Sequence, residues 1–116
     1  MGDYMRQEPF FANGLPVESV QELASLLEDL PKRSLALTGE GEDAQRDNDT
    51  RAGWAARALI AYAKHLNEAS LAGELETVVG DLLGDLRHLC DALQVDWHIV
   101  ANRSELYYLA EIAGTL

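Results

Sequence analysis

The sequence predicts an all-α domain, a small bundle of about four helices with an acidic loop between the first and second. Three observations point there. Four stretches carry apolar residues at helical spacing, strand signals are few, and 116 residues suit one core rather than two. The expected organisation is therefore a single domain over 1–116.

Residues 1–15, MGDYMRQEPFFANGL, have no period and contain Pro9 and Gly14. They read as an irregular arm whose Phe10 and Phe11 can dock on the body. The first helix is expected over 17–30, where Val20, Leu23, Leu27 and Leu30 share one side. Pro16 suits its first turn, and Pro31 ends it by lacking an amide hydrogen. Beyond it, Ser34–Thr38 is at most a weak extended piece.

From 39 to 49 the chain is glycine, acid and amide, which reads as a flexible loop. It holds Glu40, Glu42, Asp43, Asp47 and Asp49 against the single base Arg46. The alternating ligands of a calcium loop are missing. Asp49 or Thr50 is then expected to cap a second helix, with Ala55, Ala58, Leu59, Tyr62 and Leu66 on its apolar side and Trp54 alongside. Asn67–Ser70 is a natural break. A third and longest helix follows, from about Leu71 or Glu74 to Leu93, and a fourth runs from the plausible cap Asp96 to about Ala113. Tyr107 or Tyr108 of the fourth is expected to pack with its hydroxyl at the rim.

The third helix sorts into three faces at about 100° per residue. Leu75, Val78, Val79, Leu82, Leu86, Leu89, Cys90 and Leu93 form the expected core side, with Leu83 at its border. Gly73, Gly80 and Gly84 lie on a second face. Helical glycine costs about 1 kcal/mol against alanine, so Gly80 and Gly84 suggest close approach by another helix, from this chain or a twin subunit. Covered on both faces, this would be the central helix. Glu74, Asp81, Asp85 and His88 make an edge stripe, with Asp85 nearest the apolar residues.

That stripe admits three readings. Asp81, Asp85 and His88 suit a divalent metal such as manganese, iron or zinc. Metal-binding bundles draw matching acids from other helices, though, and no Glu-x-x-His pair is available here. Alternatively, Asp85 or Asp81 bonds to Arg57 or Tyr62 and fixes helix packing, or the stripe meets a partner. The edge position favours a polar network or a partner surface over a metal.

Composition limits function. Nine Lys and Arg against twenty Asp and Glu give a net charge of −11, which argues against direct binding to nucleic-acid phosphates. It permits competition with nucleic acid for a basic groove, or simply keeps the chain soluble. The single cysteine, Cys90, excludes an internal disulfide or a cysteine zinc site and reads as core. No apolar run has the roughly 18 residues of a membrane span, and no basic-then-apolar leader is seen, so a cytoplasmic location is expected. No nucleophile–base pair stands out among Ser104, His65 and His98. GEGED would place acids where a phosphate loop needs amides, and no cofactor is expected.

Two resemblances lie in the second half. DTRAGWA at 49–55, DLLGDLRH at 81–88, and Tyr108 with Glu111 resemble a group of small uncharacterised all-helical proteins of bacteria and mobile elements, which implies the fold but no function. The segment ELETVVGDLLGDLRHLCDALQVDWHIVANRSEL is similar to later helices of MazG-like all-α nucleotide pyrophosphatases. That likeness implies Asp81 as a magnesium ligand and Asn102 near a nucleotide. Val78 stands where that family has an acid, and its earlier Glu-Glu-x-x-Glu has no counterpart in TRAGWAARALIAYAKHL.

The expected function is that of a non-enzymatic acidic module binding another protein with a basic surface. Its contacts would be the loop acids (Glu40, Glu42, Asp43, Asp47, Asp49) with Glu74, Asp81 and Asp85. A fitting setting is a phage or mobile-element inhibitor of a nucleic-acid-binding host complex, of the anti-CRISPR kind. The alternative is a metal-dependent hydrolase or degenerate nucleotide-binding domain using Asp81, Asp85 and His88. A homodimer on the Gly80 and Gly84 face is the third reading.

Overall fold

The computed structural model describes residues 14, 16–29 and 44–114. The described chain is all-helical, with α1 (Val20–Asp29), α2 (Ala44–Leu66), a one-turn α3 (Glu68–Leu71), α4 (Leu75–Leu93) and α5 (Trp97–Ala113). The expected arm apart from Gly14, the weak extended piece, and loop acids Glu40, Glu42 and Asp43 lie outside the described residues.

Capping sets where α1 begins. The Ser19 hydroxyl accepts from the Glu22 amide at 3.1 Å, and the Glu22 carboxylate accepts from the Glu18 amide at 3.2 Å, a reciprocal cap that satisfies two free donors. Pro16 therefore lies ahead of the helix rather than in its first turn.

The acidic loop ends earlier than the sequence suggests. Residues 44–49 already belong to α2, and Asp47 and Asp49 are buried. Neither Asp49 nor Thr50 is the cap: both lie inside the helix, where the Thr50 hydroxyl donates back to the Arg46 carbonyl at 3.1 Å. Ala, Gln and Arg are sound helix formers, and an acid near the helix start is favoured by its positive end. Acids and an amide suit a loop and a first helical turn alike, and here they build the opening turns of α2.

The break after α2 is one extra helical turn. Asn67 caps α3 by accepting from the Ser70 amide at 2.8 Å. The chain then zips against the start of α1: Val20 N–H donates to the Gly73 carbonyl (3.2 Å), and Leu75 N–H to the Glu18 carbonyl (2.9 Å). Gly73 fits this turn because a Cβ would stand 3.1 Å from both the Ser70 carbonyl oxygen and Val78 Cγ2. Gly73 is thus outside the helix.

The core is small and sits where α1, α2 and the first turns of α4 meet. Val20, Leu23, Ala56, Leu59, Ala63 and Val78 are buried, with Leu27, Ile60, Tyr62, Leu75 and Leu82 packed against them. α2 therefore buries a face one position round from the expected one, and Ala55, Ala58 and Leu66 are exposed. Alanine on both sides gives this helix little preference, so the leucines of α1 choose the face. α2 touches every other helix, whereas α4 touches mainly α2 and is not central.

Candidate interaction surface

The edge stripe of α4 forms as expected in register, and Glu74, Asp81, Asp85 and His88 are all exposed. Asp85 does what its position beside the apolar arc suggests: it accepts a hydrogen bond from the Tyr62 hydroxyl of α2. That bond holds the phenol in its neutral form. Together with lost solvation and the negative charges of Asp85 and Asp81, it pushes the Tyr62 pKa up to about 12. Asp81, one turn earlier, contributes charge to this pair. Among the described residues, no three His, Cys, Asp or Glu side chains are grouped to hold a metal ion. The Asp81, Asp85 and His88 set is one stripe on one helix, without ligands converging from a second.

The glycine face of α4 is open. A Cβ on Gly80 or Gly84 would meet nothing within 4 Å, so these residues do not receive a neighbouring helix of their own chain.

What stands out instead is the apolar arc. Its first turns, at Leu75, Val78 and Leu82, pack on α1 and α2. Its continuation is bare: Leu86, Leu89 and Leu93 are exposed, and Cys90 is half-buried. The expected core face thus runs off the end of the core. α2 offers its neighbours a limited length, and α4 leaves it.

α5 goes further. The Asp96 carboxylate caps it by accepting from His98 N–H (2.9 Å) and Ile99 N–H (3.2 Å). At about 100° per residue, Val100 and Tyr107 fall on one side, Ile99 and Leu106 on another, and Leu109 and Ile112 on a third. A helix apolar all round belongs in an interior. Yet none of its residues is buried, and Leu106 is 67% exposed. Tyr107 and Tyr108 are both exposed rather than packed.

Polar groups tie down the end of α5. Asn48 Nδ2 donates to the Glu111 carbonyl at 3.0 Å, Arg51 Nη1 donates to Asn48 Oδ1 at 2.7 Å, and Arg51 Nε pairs with Glu111 Oε2 at 2.8 Å. No sequence signal announces this latch, because its partners are about sixty residues apart and each is common on a solvated helix face.

No family model, curated protein or solved structure matches this chain.

α4 is held to α2 at Tyr62 and α5 at Arg51, eleven residues apart on one helix. Along α2 that is about 16 Å at 1.5 Å per residue. α4 and α5 make little contact with each other. A shallow groove elsewhere, between α1 and α2, is lined by Leu27, Glu28, Arg57, Ile60 and Lys64 and brings together no nucleophile and base. Among the described residues, the α4–α5 pair is the arrangement with an evident unmet need. A wheel drawn for α5 gives the only sequence signal for it, namely apolar residues on every side.

Proposed function

We propose that this chain acts by binding another polypeptide through its α4–α5 pair, without chemistry of its own. One observation carries the reading: α5 is apolar on all sides, yet none of its residues is buried. Twelve large apolar residues from Leu83 to Ile112 are 40–67% exposed. At about 80 Å² each they present on the order of 1,000 Å² in total, spread over α4 and the several sides of α5. An area of that size is kept when something covers it.

The charge of −11 supports an acidic rim that draws a basic partner over distance, with Glu74, Asp81 and Asp85 exposed beside the apolar arc. A setting in which the partner is a nucleic-acid-binding complex, as for a phage-borne inhibitor, rests on that charge. The metal-dependent hydrolase alternative loses support from the ungrouped ligands. The test is a photo-reactive residue at Leu106 in the native cell, with Lys64 as a control position. A protein adduct at 106 that disappears on Leu89→Glu is expected. No adduct at 106 would sink the reading.

A further inference from the structure

We infer that the bare half of the apolar row on α4 receives one amphipathic helix of another protein, with lysine or arginine along the flank that meets Glu74, Asp81 and Asp85. The inference rests on the reading of the α4–α5 pair as a binding surface and names the partner's chemistry.

Spacing makes the cover a helix. Leu75, Val79, Leu82, Leu86, Leu89 and Leu93 recur at alternating steps of four and three, the heptad repeat that seats the side chains of one helix between those of another. At about 100° per residue they keep to a strip of α4 about 80° wide. The first part of the strip is already used in this way, since Leu75 and Leu82 pack on the core that α1 and α2 build. Leu86, Leu89 and Leu93 continue the same row at 40–63% exposure, and Val79 is 42% exposed. α5 makes little contact with α4 and does not cover them. From Val79 to Leu93 the row runs about 21 Å, the length of a helix of about four turns. An amphipathic helix laid on an apolar strip is an established mode of peptide recognition.

Charge makes that helix basic. α4 carries Glu76, Asp81, Asp85 and Asp91 against the single base Arg87. Asp85 keeps its charge while it accepts from Tyr62, because a neutral phenol donates a hydrogen bond without cancelling a carboxylate. Glu74, Asp81 and Asp85 lie along one edge of the row and are exposed. The other edge holds Leu83 and Cys90, with Glu76 offset by Arg87. The partner therefore needs its bases on one flank, and the opposite flank can be apolar or neutral. A helix as acidic as α4 would set like charges side by side at the acidic edge, which selects against it.

The experiment is fluorescence anisotropy of three labelled synthetic peptides of about 21 residues titrated with the full chain. The first has leucine at heptad positions a and d and lysine at e and g. The second has glutamate in place of the lysines, and the third scrambles the first so that its leucines lose their spacing. The lysine peptide should bind, and the other two should bind about tenfold more weakly or not at all. Its affinity should fall severalfold as salt rises from about 0.05 to 0.5 M. Leu89→Glu, at an exposed position, should weaken it about a hundredfold with helical circular dichroism unchanged. Leu86→Glu provides a second variant should the first misfold. Asp81→Lys, also exposed, should move the preference toward the glutamate peptide, a reversal that loss of structure does not produce. Equal binding of the lysine and glutamate peptides overturns the inference. So does equal binding of the scrambled peptide, or lysine-peptide binding that survives Leu89→Glu. If residue 106 captures a protein in the native cell and no peptide binds, the basic helix is overturned and the binding surface stands. If residue 106 captures nothing and no peptide binds, both are overturned.

Discussion

The Tyr62 hydroxyl of α2 donates its hydrogen to the Asp85 carboxylate of α4, and this bond marks the point where α4 leaves the core. Before it, Val78 and Leu82 pack on α2; after it, Leu86, Leu89 and Leu93 are bare.

Tyr62 gives a pH prediction whose sign follows from its raised pKa. A tyrosine at about 12 when folded, against an ordinary value near 10, favours the folded state wherever it is protonated. That contribution is complete below pH 10 and is lost as the pH climbs through 10 to 12, when a phenolate would face Asp85. Spectrophotometric titration should show Tyr62 ionising late. Asp85→Asn should bring it back toward its ordinary value near 10, and an unchanged titration in that variant would mean that Asp85 is not the cause.

The latch at Asn48, Arg51 and Glu111 holds the end of α5 with partly buried polar bonds. Arg51→Ala removes the ion pair and one hydrogen bond, and should cost about 0.5–1.5 kcal/mol. Hydrogen exchange should rise first in the last turns of α5, where no residue is buried. Uniform faster exchange over α1 and α2 would show that the latch supports the core instead.

Gly80 and Gly84 lie inside α4 with open space where a Cβ would go. Replacing either by alanine should raise stability by about 0.5–1 kcal/mol through helix propensity alone. They sit on the side of α4 away from Leu82, so the oligomeric state should not change. Thermal melts of the single and double variants check this, and a lowered melting point would reveal something packed on that face.

The core holds six buried apolar residues among those described, so each counts heavily. Leu59→Ala should cost about 2–5 kcal/mol, a large share of what a domain this size possesses. Urea unfolding by circular dichroism should show a lower midpoint and a loss of α1 and α2 together. Leu106→Ala, at a far more exposed position, should leave the midpoint of the monomer nearly unmoved.

Much of this could be read from the residues. Val20, Leu23 and Leu27 announce α1, Asp96 announces the start of α5, and Asp85 stands out by its place beside the leucines. Two kinds of feature could not. The opening of α2 at Ala44 was hidden because acids and amides serve loops and first helical turns equally well, and the difference lies in what the rest of the helix packs on. The buried face of α2 was hidden because alanine on both sides fits either choice.

The sequence by itself determined that the chain is helical, where most helices stop, and that α4 has an apolar arc edged by Asp81, Asp85 and His88. Those follow from periodicity and capping, which act within a few residues. Only the tertiary structure decided that this arc is half covered and half bare, that Asp47 and Asp49 are buried, and that α5 stands apart from α4. The reason is range: these features depend on contacts between residues far apart in the chain, such as Tyr62 with Asp85 and Arg51 with Glu111, which no local pattern records.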